Sequence, residues 1–83
     1  MVMMYSLSTC PWCKKMKQFL REQGVAFEFL DVDLADEEEK TEAFAEMKRL
    51  GLDSAFPTVV VGDRAIQGYY PREVLQLVSE ADE

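Results

Sequence analysis

Prolines and glycines cut this chain into segments so short that only alternating strands and helices fit between them. Pro11 suits the first turn of a helix, where its missing N–H costs nothing. Gly24 is a natural residue just past a helix end, so that helix runs to about Gln23. Before it, "VMMYS" at 2–6 carries no charge and reads as a short, fully buried strand. After it, "VAFEFLDVD" reads as a second strand with Val25, Phe27 and Phe29 alternating on one face. Asp36 can cap a second helix to about Leu50, with an acidic first turn and with Lys48 and Arg49 at its other end. Phe44 and Met47 supply that helix with an apolar stripe, and Gly51 ends it. "PTVVVGDRAIQG" reads as a hairpin turning at Gly62-Asp63. Pro71 opens a last helix with Val74, Leu75 and Val78 at helical spacing. The order is βαβαββα. A strand-helix-strand start implies a parallel pair, and the closing hairpin adds an antiparallel edge, giving an α/β domain with a small mixed sheet.

At 83 residues, 48% of them hydrophobic, one domain spanning 1–83 with a modest core is expected. A net charge of −7 argues against nucleic acid as a partner, since phosphate binding needs clustered Lys and Arg. No segment approaches the roughly 20 apolar residues of a membrane span. "MVMMYSL" is too short for a signal sequence and no Lys or Arg precedes it, so a cytoplasmic protein without a membrane partner is expected, as a monomer. The charge is unevenly spread. Lys14, Lys15, Lys17 and Arg21 follow the cysteines, whereas the acids gather from Glu28 to Glu46. Most of that acidic run reads as solvated surface, with partner selection a further use. Arg64 and Arg72 read as surface charges.

The two cysteines, Cys10 and Cys13, stand in "STCPWCKK". A zinc site wants about four ligands, and this chain has no histidine, so no metal is expected unless a dimer pools its thiolates or carboxylates complete the set. A structural staple closing so short a loop adds little. Redox chemistry remains. With Pro11 in the first turn, Cys10 lies at the N-cap, where free backbone N–H groups and the helix dipole favour a thiolate. Lys14 and Lys15 add positive charge. Cys10 is therefore the attacking sulfur. Cys13 shares a helix face with Met16, Leu20 and Lys17, so its sulfur is more buried, its pKa higher and its role resolving. Without His, Ser-His and Cys-His schemes are excluded.

Tyr5-Ser6 ahead of "STCPWC", "FPTVVVGD" at 56–63 and "IQGYYP" at 66–71 together resemble a glutaredoxin over nearly the whole chain. The resemblance implies a thioredoxin-like fold, a four-stranded mixed sheet with helices on both faces. It also implies a dithiol–disulfide oxidoreductase acting on protein or low-molecular-weight disulfides and so maintaining cell redox homeostasis. Pro57 would be a cis-proline facing the dithiol, turning Phe56 so that its N–H and C=O can pair with an extended thiol substrate. No bound cofactor is implied, though glutathione is a possible co-substrate. The departures bear on that point. Glutathione-using members usually carry Lys three residues before the first Cys, where Leu7 stands here. They also carry Gly-Gly and an acidic pair where this chain has Gln67-Gly68-Tyr69-Tyr70-Pro71. Lys14 or backbone groups at the last helix would have to compensate. The Gly-aromatic-x-Pro ending resembles small redoxins recharged by thioredoxin reductase, some of which feed ribonucleotide reductase. Cluster-binding members form dimers, and proline after the first Cys disfavours that. Trp12 serves either as substrate contact or as packing, and Tyr69 and Tyr70 as groove wall or staple. Gly68 serves close backbone approach or a positive φ. The first strand has no carboxylate, so no buried proton acceptor is assigned. A dimeric metal or iron–sulfur module and a non-catalytic interaction domain are the competing classes.

Overall fold

The computed structural model describes residues 2–81. Strand β1 (Val2–Ser6) leads into helix α1 (Pro11–Glu22), strand β2 (Glu28–Asp31), a 3₁₀ turn at Val32–Leu34 and helix α2 (Glu37–Arg49). Strands β3 (Thr58–Val61) and β4 (Arg64–Gln67) form a hairpin, and helix α3 (Pro71–Ala81) closes the chain. The four-stranded sheet runs β2-β1-β3-β4, with β1 and β2 parallel and the other neighbours antiparallel. This is the expected thioredoxin-like βαβαββα arrangement.

The sheet is covered on both faces, which explains why β3 is an unbroken apolar run. Val59 and Val61 point to one core with Met4, Met16, Leu20, Val74 and Leu77, between the sheet and helices α1 and α3. Val60 and Tyr5 point to the other, closed by Val32, Ala43 and Met47 on the α2 side. Each fully buried side chain of this size contributes about 1.5–3 kcal/mol, and these two layers hold the β1–β3 centre of the sheet rigid.

Local signals set the ends. Cys10 and Pro11 start α1, and Gly24, at φ +69°, turns the chain after it. Asp36 accepts from the Glu39 N–H while the Glu39 carboxylate accepts from the Asp36 N–H, a reciprocal capping box for α2. Gly62 takes φ +63° at the first turn position of the hairpin, as a two-residue loop with glycine there requires.

Four expectations change. β2 is shorter than 25–33, because its ladder pairs only Met3 to Ser6 of β1 with Glu28 to Asp31 and stops where β1 stops. Phe27 packs on the core, but Phe29 is exposed: β2 is an edge strand, and α1 covers Phe29 with Lys17 instead of an apolar side chain. On α2, Ala43 and Met47 face the sheet four residues apart, which turns Phe44 outward. On α3, Leu77 rather than Leu75 joins Val74 in the buried stripe, with Val78 packed beside them.

Candidate active site

The loop from β1 to α1 carries the first cysteine to the C-terminal end of the parallel pair. Its geometry is fixed from both sides. The Cys10 N–H donates to the Leu7 carbonyl at 3.1 Å. Asp33, just past β2, accepts from the Ser8 N–H at 2.8 Å and from the Ser8 hydroxyl.

Cys10 is the N-cap of α1, with extended backbone (φ −82°, ψ 117°). Its sulfur accepts from the Cys13 N–H at 3.4 Å. Partial burial pushes the Cys10 thiol up. Hydrogen bonds from the Cys13 side chain and from the backbone of Cys13 and Trp12 outweigh it, so the net pKa is lowered. Cys13 lies one turn further in, fully buried among Met16, Leu20 and the sheet. Burial dominates there and pushes its thiol up to about 11; contact with Cys10 adds to the rise, while a Leu7 backbone bond and the Lys17 charge oppose it. Both thiols are free. One sulfur is exposed enough to meet a substrate and is electrostatically readied; the other is sheltered.

Opposite the dithiol, the Phe56–Pro57 peptide bond is cis, as the resemblance implied. The Pro57 carbonyl accepts from the Gly68 N–H at 2.8 Å, tying the loop to β4. Gln67 steadies the same loop by donating to the Asp53 carbonyl at 2.6 Å and to the Thr58 hydroxyl at 3.1 Å. Among the described residues no backbone partner engages the N–H or C=O of Phe56, which leaves one donor and one acceptor for an incoming chain.

An open groove of about 340 Å³ is lined by Trp12, Phe56, Pro57, Gly68, Tyr69 and Tyr70, so that Trp12, rather than either cysteine, forms its α1 side. The rings of Trp12 and Tyr69 meet at 5.3 Å, tilted by 36°. Gly68 takes φ +99°, and a Cβ there would lie 2.8 Å from the Tyr70 ring, so glycine is needed both for the backbone and for the room. A larger hollow of about 580 Å³ lies between β4 and α3 and is lined by no residue of the Cys10–Cys13 segment.

The structure thus gathers Cys10, Pro11, Trp12, Cys13, Phe56, Pro57, Gly68 and Tyr69 at one end of the sheet. Lys14 is exposed on α1 and does not line the groove. Lys15 instead reaches the site, its ammonium 4.6 Å over the Trp12 ring. Sequence reasoning also missed a polar cluster behind Cys13. β1 indeed carries no carboxylate, but Asp31 arrives from β2, accepting from Lys17 at 2.8 Å and from the Ser6 hydroxyl at 2.5 Å. Burial opposes ionisation of Asp31, yet the Lys17 and Ser6 hydrogen bonds leave its pKa lowered. The available signal was Lys17 itself, a cation on the face otherwise given to Cys13, Met16 and Leu20. No group of metal-ligating side chains occurs among the described residues, and no helix there is long and apolar enough to cross a membrane.

The arrangement has counterparts. The Glutaredoxin family model matches residues 2–66. A glutaredoxin-like 8.6 kDa protein of the rubredoxin operon of Clostridium pasteurianum is 34% identical over 80 residues, covering 96% of this chain and all of its own length. The fold superposes on the crystal structure of methanoredoxin from Methanosarcina acetivorans at a TM-score of 0.84 and 41% identity, over 93% of this chain and 82% of that one. For the glutaredoxin of Methanosarcina mazei the TM-score is 0.85 at 40% identity, over 93% and 76%. Sequence and shape thus match together over most of the chain, and the chain belongs to the glutaredoxin family.

Proposed function

We propose that the protein is a dithiol–disulfide oxidoreductase that reduces disulfides of extended polypeptide segments and is recharged without glutathione. The observation that carries the reading is the unlike placement of its two thiols: Cys10 caps α1 and accepts from the Cys13 N–H, which lowers its pKa, whereas Cys13 is fully buried, which pushes its thiol up to about 11. The Cys10 thiolate attacks a substrate disulfide; one substrate sulfur leaves as a thiol and the other stays bonded to Cys10. Cys13 then attacks Cys10, releasing the second substrate thiol and leaving Cys10–Cys13 oxidised.

The groove supports a polypeptide as substrate. Its lining has no charged side chain, offers the vacant backbone pair of Phe56 and stacks aromatic rings at its rim. Strand-like pairing at Phe56 suits any extended segment beside a disulfide. Glutathione, a small anion at neutral pH, finds few pairing groups there: no charged side chain is in the lining, the nearby Lys15 ammonium is held over the Trp12 ring, and Leu7 and Tyr70-Pro71 stand where pairing groups would serve it. Electrons then come from a reductase acting directly on the Cys10–Cys13 disulfide, in the manner of thioredoxin reductase.

NADPH consumption with a disulfide substrate tests this, once with glutathione plus glutathione reductase and once with thioredoxin reductase. Turnover in the second system only is expected. Turnover with glutathione alone overturns the choice of donor and keeps the dithiol chemistry. Turnover in neither overturns both.

A further inference from the structure

We propose that Lys17 is a positioning residue for the resolving half of the reaction: its ammonium, anchored by Asp31, supplies the positive charge against which the buried Cys13 sulfur ionises and attacks. This rests on the dithiol reading above and adds to it what makes the sheltered thiol usable.

Lys17 sits one helical turn beyond Cys13 on the same buried face of α1. Its Nζ lies 2.8 Å from Asp31 and 4.1 Å from the centroid of the Phe29 ring, so carboxylate and ring together hold the ammonium inside. Ser6 donates to the same Asp31 oxygen, fixing the anchor to the end of β1. The pair is unlike the rest of the molecule's ion pairs. Its side chains are 11% and 18% exposed, whereas both partners in every other ion pair among the described residues are at least 32% exposed. A pair this sheltered stabilises little for its desolvation cost, and an apolar side chain would pack there as well. Stability therefore does not account for it.

The surroundings of Cys13 leave few other sources of charge. Cys10 stands in front of it, and Lys17 lies on its own helix. Asp31 and Asp33 lie across from β2 and the 3₁₀ turn, the nearer one neutralised by Lys17. β1, β3 and α3 give it Met4, Val59 and Val74. Tyr5 belongs to the opposite face. Among the described residues Lys17 is the cation that acts on that sulfur, more weakly than burial does, and it favours the thiolate.

The step balances. Cys13 gives its proton to solvent, its thiolate forms a bond to the Cys10 sulfur, and the substrate–Cys10 bond breaks with its electron pair on the leaving sulfur. That thiolate takes a proton from solvent. The Lys17 charge lowers the cost of the first event and changes nothing in the sum.

Stopped-flow reaction with 5,5′-dithiobis(2-nitrobenzoate) separates the two halves, since Cys10 releases one coloured thiolate on attack and Cys13 releases the second on resolution. In Lys17→Met the second phase is expected to slow severalfold near neutral pH and its pH midpoint to rise, with the first phase unchanged. Asp31→Asn, which keeps the lysine stem and removes the opposing charge, is expected to shift the second phase the other way; Lys17→Arg preserves it. A second phase in Lys17→Met that matches wild type in rate and midpoint overturns the proposal. So does equal slowing in Lys17→Met and Asp31→Asn, the mark of a purely structural pair. A wild-type protein showing only the first phase overturns the dithiol reading itself.

Discussion

The Cys13 backbone N–H points at the Cys10 sulfur from 3.4 Å, so the residue that later attacks this sulfur also helps to ionise it. The helix start does this without any added side chain. Because Pro11 has no N–H to offer, the first donors available to the sulfur come from Trp12 and Cys13, and both act on it.

The first consequence is a split in thiol reactivity. Alkylation of Cys10 by iodoacetamide should rise with pH and level off below 9.0, the ordinary value. In Cys10→Ser, the remaining Cys13 should resist alkylation until the pH passes 9.0, because burial, its largest influence, persists there. Equal midpoints for the two thiols would remove the basis for assigning them different roles.

Role exchange follows the same asymmetry. Cys10→Ser should bring disulfide reduction to background, whereas Cys13→Ser should still attack and then stall, accumulating a mixed disulfide visible by intact mass. Full activity in either variant would contradict the two-step scheme.

Much of this was legible from residue order. Pro11 beside Cys10, Asp36 with Glu39 and the Gly62-Asp63 turn act within a few residues of themselves, so their structures follow from local chemistry. Phe29 and Phe44 were misplaced for the opposite reason. Whether an apolar residue is covered depends on what lies across from it, and the group over Phe29 is Lys17 from another element. The Asp31–Lys17–Ser6 cluster was invisible for the same reason, since it joins β1, α1 and β2 only once the parallel register sets Ser6 beside Asp31. The groove was half legible: "FPT" and "GYY" were recognisable, but the contact of Trp12 with Tyr69 depends on how α1 meets the loop between β4 and α3.

Trp12 is 52% exposed, so its loss should barely touch the fold. Trp12→Ala is expected to change stability by no more than about 0.5 kcal/mol. It should raise KM for a protein disulfide several-fold, with kcat for a small disulfide held. A matching drop in melting temperature would instead make the ring a packing element.

Gly68 tests the opposite wall. Gly68→Ala places a Cβ 2.8 Å from the Tyr70 ring at a φ of +99°, and the strain should cost about 1–3 kcal/mol unless Tyr70 swings away. Either response disturbs the groove, so activity on protein disulfides should fall more than alkylation of Cys10. A variant of wild-type stability and activity would show that the close approach at Gly68 is dispensable.

Asp31 links the buried pair to acid stability. Its pKa lies below the ordinary 3.8, through the Lys17 and Ser6 hydrogen bonds working against burial. A depressed folded-state value means stability that is present above pH 3.8 and is lost as the pH falls through the lower, folded value. Removing one partner of a sheltered pair costs about 3–5 kcal/mol when burial is complete, and residual solvent access reduces that here to about 1–3 kcal/mol. Asp31→Asn should therefore melt below wild type at neutral pH, and the gap should narrow as the pH drops below 3.8, where wild-type Asp31 also loses its charge. A gap independent of pH would mean that the carboxylate stabilises through shape rather than charge. The same variant is expected to resolve mixed disulfides faster while unfolding more easily, and only a residue that restrains the Lys17 charge gives that opposite pair of effects.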